Sequence, residues 1–314
     1  MCRMEDNFRV CITANLFFCI IIANALESME KLKIAIQKEG RLSEKSLELI
    51  RESGIRHNQD SKRKLISIGE NFPVEILYLR DDDIPQYVAD SVADIGIVGE
   101  NEVMEKNRNV EIVERLGFAR CRLSLAIPQS NDYSGPAYFN GKRIATSYPH
   151  ILSRYLRENN ISAEIHEISG SVEIAPGIGL ADAIFDIVST GSTLISNRLK
   201  EVEVVTESEA VVIATSGASE HKKKILNDLL FRFQAVRRSK NNKYILLNAP
   251  NEKLDQIVKL LPGMKSPTVL PLYEKGWSSV HSVVNENEFW EIIGKLKKFG
   301  AEGILVVPIE KMIL

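Results

Sequence analysis

The chain lacks any marked excess of charge. Its 40 lysines and arginines face 42 aspartates and glutamates, a formal net charge of -2. No positive field is available to hold a nucleic-acid backbone, and no basic stripe with interleaved aromatics occurs. The run His221 to Lys224 is local, and such runs are mostly solvated helix ends. Cysteine is scarce too: Cys2, Cys11, Cys19 and Cys121, with no CxxC and no His/Cys spacing suited to zinc. This implies a reduced compartment and no structural disulfide. Neither GxGxxG nor GxxxxGK[ST] is present, so a dinucleotide fold has no support and a P-loop nucleotidase is excluded. No Ser-His-acid or Cys-His arrangement accompanies the polar clusters.

Long apolar runs are equally rare. Residues 10 to 26, VCITANLFFCIIIANAL, are short for a membrane span and are broken by Asn15 and Asn24. Arg3 and Arg9 precede them, which leaves a signal peptide or anchor as an alternative. A strand-like KLKIAI follows Met29 closely, so residues 1–28 read as a dispensable extension. No stable membrane association is expected.

What is present suits two or three domains: 314 residues with 44% hydrophobic content. After Met29, strand-like and helix-like segments alternate. Leu32 to Ile36, Ile76 to Leu79 and Ile95 to Val98 read as strands. Helices are expected from Ser43 to about Glu52 and from Ile84 to Ser91. A second set begins near Arg120, with strands at Arg122 to Ile127, Arg143 to Ala145 and Ala163 to Ile168. It continues with a small-residue helix holding Ala181 and Ala183, and a strand at Ile187-Val188. Such units imply a parallel or mixed sheet covered by helices. The last 75 or so residues read βαββαβ, the ferredoxin-like signature. They are rich in core-type residues and poor in catalytic ones, and His281 reads as structural or ligand-holding.

The densest chemistry is DIVSTGSTL, residues 186 to 194. A strand empties into Ser189, Thr190, Gly191, Ser192 and Thr193. Four hydroxyls, a glycine and a turn of free N–H groups can wrap a phosphate, or the turn can be an ordinary helix cap. One hydroxyl suffices for capping, so the length favours phosphate. Asp186 and, upstream, Glu173 can hold ribose hydroxyls or a metal ion. Asp182 and Asp186 stand four apart if the short helix persists. In IQKEGRL, Lys38 and Arg41 sit where the first strand exits, and two cations beside a glycine suit a polyphosphate. In LRDDDIP, Asp83 can cap the helix at Pro85. That leaves Asp81 and Asp82 free to meet a ligand cation or an arginine of the other lobe. In ADIGIVGEN, Glu100 and Asn101 can reach a cleft. Tyr148 follows a strand and can stack on a base or pack on its own domain. His150 and His166 are isolated and read as ordinary histidines.

Taken together, IAIQKEGRL, LRDDDIP, DIGIVGEN, CRLSLAIP, GKRIATSYPH, SVEIAPGIGLADAIFDIVSTGSTL and the closing ILVVPIEKM resemble the long-form ATP phosphoribosyltransferase family of histidine biosynthesis. The resemblance runs from about Leu32 to the C-terminus. It implies two α/β lobes like those of type II periplasmic binding proteins: residues 29–118 with 208–236, and residues 119–207. A regulatory, histidine-binding domain would follow at 237–314. It implies transfer of the phosphoribosyl group of phosphoribosyl pyrophosphate to N1 of ATP, with release of pyrophosphate and use of Mg2+. It assigns phosphoribosyl pyrophosphate to Asp186 and Ser189 through Thr193, and ATP to Arg41, Asp81 and Tyr148. Lys38, Arg41 and Glu173 are the expected catalytic set, with Glu173 and Asp186 as metal ligands. Histidine is the expected inhibitor, dimers and hexamers the expected assembly, and the cytoplasm the expected location. The rival reading from the same two lobes is a solute-binding or sensor protein without catalysis.

Overall fold

The computed structural model describes residues 30–58, 65–215, 217–261 and 263–314. The extension expected over residues 1–28, with Cys2, Cys11 and Cys19, lies outside the described residues. Two compact units divide the chain. One holds residues up to 48 and 55–226, the other residues 49–54 and 227–314.

The first unit begins with β1 (Leu32–Gln37), α1 (Arg41–Glu52), β2 (Ile66–Ile68) and β3 (Val74–Leu79). It continues with α2 (Ile84–Ala89), β4 (Ile95–Gly99), α3 (Glu100–Lys106) and β5 (Glu111–Arg115). The chain then enters a second sheet through β6 (Cys121–Pro128), β7 (Arg143–Thr146), α4 (Pro149–Glu158) and β8 (Glu164–Glu167). This part ends with β9 (Ala183–Val188), α5 (Ser192–Ser196) and β10 (Leu199–Ser208). It returns as β11 (Ala210–Ala214) and leaves through α6 (Glu220–Lys240).

The first sheet runs β2-β3-β1-β4-β11-β5 and the second β10-β6-β9-β7-β8. β1 is parallel to β3 and β4, and β7 is parallel to β8 and β9. β11 and β6 are antiparallel to their neighbours β4 and β9, because each arrives from the opposite sheet. Apart from the edge strand β2, the two sheets repeat one order: second, first, third, arriving strand, last. The chain crosses twice, after β5 and after β10, which gives the expected two-lobed mixed α/β architecture.

The central strands are near-continuous apolar runs because helices cover both faces. Ile34, Ala35, Ile36, Ile95, Ile97 and Val98 are fully buried. Phe139 and Phe185 fill the second lobe's core, each worth about 2–3 kcal/mol by burial. Parallel strands bring their carboxyl ends to one edge, so the exits of β1, β3, β4, β7 and β9 face the cleft between lobes.

The small-residue helix expected around Ala181 and Ala183 is absent. Ala183, Ile184 and Phe185 are instead buried in β9, between β6 and β7. Asp182 and Asp186 therefore do not share a helix face. Asp182 accepts from the Arg143 backbone N–H and guanidinium, which holds its carboxyl below the usual range.

The second unit holds β12 (Asn242–Pro250), α7 (Leu254–Leu260), β13 (Thr268–Pro271), β14 (Trp277–Asn285), α8 (Phe289–Lys298) and β15 (Glu302–Pro308). Its antiparallel sheet runs β13-β14-β12-β15. Ile245, Leu247, Ile257, Val280 and Leu296 form its core. His281 is tied to Tyr244 and Ser279 on this sheet. The boundary between the units falls inside α6, between Leu226 and Asn227. Among the described residues, no helix is long and apolar enough to cross a membrane.

Candidate functional site

The phosphate-type loop stands between two buried anchors, Val188 at the end of β9 and Leu194 in α5. Gly191 has φ +80°, a left-handed conformation that suits glycine, and it serves as the N-cap of α5. The amides of Thr190 through Thr193 lie at a helix start, where N–H groups have no intrahelical acceptor. They take no backbone acceptor among the described residues. The Thr190 and Ser192 hydroxyls are 3.0 Å apart. Arg122, which sequence reading passed over, donates to the Ser189 carbonyl at 3.3 Å and is itself held by Glu201.

A cavity of about 230 Å3 opens over this loop. It is lined by residues 186 to 194, by Glu173, and by Arg41 from the other lobe. Arg41 is the first residue of α1 rather than part of a loop, directly after Gly40 with φ +100°. Lys38 is exposed just beyond β1 and does not line this cavity. Glu173 lies in a short 3-10 turn, Val172–Ile174. Asp186 accepts from the Ile187 amide at 2.8 Å. Burial pushes its carboxyl up to about 6, the Ile187 bond opposes this, and the Glu173 charge adds to it.

The aspartate run resolves into separate roles. Asp81 accepts from Gln37 Nε2 at 3.0 Å and from the Asp82 amide at 3.1 Å. Asp82 pairs with Arg80 and Lys106. Asp83 occupies the N-cap position of α2, but its side chain makes no cap bond, so the expected capping role is not realised.

Tyr148 is 9% exposed and packs in the core of the second lobe. It presents its hydroxyl rather than its ring face. That hydroxyl donates to Glu102 Oε1 at 3.1 Å and accepts from Asn101 Nδ2 at 3.3 Å, both across the lobes. Burial and the Glu102 carboxylate push the phenol far up. Glu102 was not among the sequence candidates. Burial first, then the Asp81 charge, push it up to about 7. Glu105, one turn on, accepts from the backbone N–H of His150 at 2.9 Å and of Ile151 at 3.0 Å. It also bonds the His150 ring. His166 bonds Glu164 on the far edge strand β8, away from the loop. Among the described residues, no group of three or more His, Cys, Asp or Glu gathers as a metal site.

Comparison with known proteins bears on this arrangement. The family model described as ATP phosphoribosyltransferase matches residues 80–235, and the model of its C-terminal domain matches residues 239–311. An ATP phosphoribosyltransferase of Bacteroides thetaiotaomicron is 60% identical over 283 residues, covering 90% of this chain and 100% of the relative. One of Cytophaga hutchinsonii is 61% identical over 282 residues, covering 90% of this chain and 98% of the relative. Among solved structures, a chain of the ATP phosphoribosyl transferase (HisG:HisZ) complex from Thermotoga maritima is 29% identical with a TM-score of 0.57. That match covers 65% of this chain and 96% of that one.

Proposed function

The chain belongs to the ATP phosphoribosyltransferase family and is the enzyme of the first step of histidine biosynthesis, and from that premise we propose how its cleft does the work. The rival reading as a non-catalytic solute binder is set aside by the family. One observation carries the proposal: a single cavity joins Arg41 of one lobe to Glu173, Asp186 and the 189–193 loop of the other.

The 5′-phosphate of phosphoribosyl pyrophosphate sits on the amides and hydroxyls of Ser189 to Thr193. This fixes the ribose and aims C1 at the adenine, which removes much of the orientational cost of a two-substrate reaction. As the bond from C1 to pyrophosphate breaks, positive charge grows on the ribose and negative charge on the leaving group. The Arg41 fork faces that leaving group and stabilises it, and exposed Lys38 at the same strand exit reaches its outer phosphate. Adenine lies toward Asp81 and Tyr148. Two carboxylates in one cavity, Asp186 and Glu173, with the charge of one raising the other, suit a divalent cation brought with substrate phosphates. Magnesium there would neutralise charge on the pyrophosphate.

The second unit we read as ferredoxin-like, supported by its βαββαβ sequence and its order of second, third, first and fourth strands. It carries no candidate catalytic set, and we assign it histidine binding, feedback inhibition and assembly into dimers and hexamers in the cytoplasm. The test of the site is calorimetry of phosphoribosyl pyrophosphate with magnesium. Arg41→Lys and Gly191→Ala should both bind it more weakly than the unaltered chain, and equal affinity in both variants would refute the site.

A further inference from the structure

The hydrogen-bond inventory around Glu102 leaves one acceptor over. Glu102, Asn101 and Tyr148 are buried, at 6%, 5% and 9% exposure. The Ser208 hydroxyl donates to Asn101 Oδ1 at 2.9 Å, and the Asn101 amide N–H donates to Ser208 Oγ at 3.0 Å, so the side-chain amide is fixed in one orientation. Its Nδ2 then donates to Glu102 Oε1 at 2.9 Å and to the Tyr148 oxygen. The Tyr148 proton goes to the same Oε1. Glu102 Oε2 has no hydrogen-bond partner among the described residues and is not sealed from solvent, so it is open to a ligand.

Both substrates carry polyphosphates, which a carboxylate repels. The free oxygen of a carboxylate on this wall between the lobes therefore suits a ligand donor rather than a phosphate. The adenine ring offers one, its exocyclic amine N6. We infer that Glu102 reads the adenine of ATP through N6–H and takes the proton that the base loses in the reaction. The inference rests on the cleft reading above, with adenine on the Tyr148 wall. The N1 lone pair forms the bond to C1, and the C1–oxygen pair leaves with pyrophosphate. The ring becomes cationic, one N6–H pair moves into a C6–N6 double bond, and the proton passes to Oε2. A base with a keto oxygen at C6 would instead set acceptor against acceptor.

The surroundings suit that role. Asp81 and Asp82 face Glu102 and raise its affinity for a proton, while the Tyr148 bond and Lys106 lower it. With burial dominant, the result is a carboxyl near neutrality, where a proton acceptor works best.

The experiment is a pH–rate profile of pyrophosphate release by the full chain, from about pH 5.5 to about 9, for the unaltered enzyme, Glu102→Gln and Lys106→Met. The unaltered enzyme should show an acidic limb near 7. Glu102→Gln should lose roughly 100-fold in kcat and lose the limb, with affinity for phosphoribosyl pyrophosphate kept. Lys106→Met should move the limb to higher pH, and this variant decides the matter if Glu102→Gln fails to fold. A limb retained in Glu102→Gln, or unmoved in Lys106→Met, overturns the inference, because a purely structural glutamate would lower activity at every pH without shifting the limb. Failure of the underlying site reading shows separately, as undiminished affinity for phosphoribosyl pyrophosphate in Gly191→Ala.

Discussion

Replacing Gly191 with alanine or valine tests the phosphate loop, because backbone strain and ligand loss read out separately. A Cβ at Gly191 meets nothing closer than Val188 Cγ1 at 4.0 Å, so no clash forces the loop apart. The cost is conformational. At φ +80° an L-residue loses about 1–2 kcal/mol, with valine at the upper end because its branched Cβ is stiff. Ligand-free unfolding should therefore weaken by that amount and no more. The second effect depends on phosphoribosyl pyrophosphate. At about 100 times its Kd, the ligand stabilises the unaltered chain by about 2.7 kcal/mol. In the proposed site the new Cβ would stand where the phosphate meets the loop amides, inside a cavity of only about 230 Å3. A hundredfold loss of affinity at the same ligand concentration leaves about 0.4 kcal/mol. The assay is equilibrium unfolding in urea with and without phosphoribosyl pyrophosphate and magnesium. A variant that shows the strain but keeps the full ligand increment would refute the phosphate loop.

Arg41→Lys keeps the charge but loses the bidentate fork, so kcat/KM should fall about 10- to 100-fold while the unfolding midpoint stays put, and unchanged steady-state constants for both substrates would show that Arg41 points elsewhere. Glu102 binds its proton more tightly folded than unfolded. The stability it contributes is therefore present below about pH 4.5 and lost as pH rises through about 7. That gap is worth about 3 kcal/mol. Glu102→Gln should flatten the loss, with urea midpoints at about pH 5 and about pH 8 as the check. Histidine should weaken ATP binding to the full chain, and ATP should weaken histidine binding by the same factor, both measured by calorimetry. Histidine that competes with phosphoribosyl pyrophosphate and loses its grip in Gly191→Val would place the effector in the cleft instead.

The parts of the site that were legible in the sequence are those whose chemistry is local. Ser189 to Thr193 announce themselves by hydroxyl density, and Arg41 by its place after a strand and a glycine. The main strands were legible because burial on both faces leaves continuous apolar runs, as at Ile95 to Val98. β2 and β5 were missed because edge strands are short and half-exposed, as Ile66, Ile68 and Ile112 are. Ala181 and Ala183 suggested a helix by their propensity. The sheet overrode it, because β9 must fill the gap between β6 and β7. Asn101 is expected to reach a cleft, whereas Glu102 and Glu105 carry no signal in the sequence. Nothing within α3 itself reveals that they are buried, since the groups that cover them come from Tyr148, His150 and Ile151, some 46 residues on.

That distant cover gives α3 its importance. Tyr148 supplies no side-chain cap to α4, whose first amides would otherwise lack acceptors. Glu105 accepts two of them from the opposite lobe, where a carboxylate also meets the positive end of the helix dipole. One turn earlier on α3, Glu102 accepts the hydroxyl of Tyr148 itself. The bond that holds the lobes at this wall and the acid assigned to the adenine thus share a single seven-residue helix. Parting the lobes here strips α4 of its acceptor and Glu102 of its tyrosine donor together. Each loss of a buried partner costs about 1–3 kcal/mol, more where a charge is involved. Separation at this wall is therefore coupled to the protonation of Glu102: a carboxylate released to water returns toward its ordinary range, so lower pH favours the joined lobes and higher pH their separation.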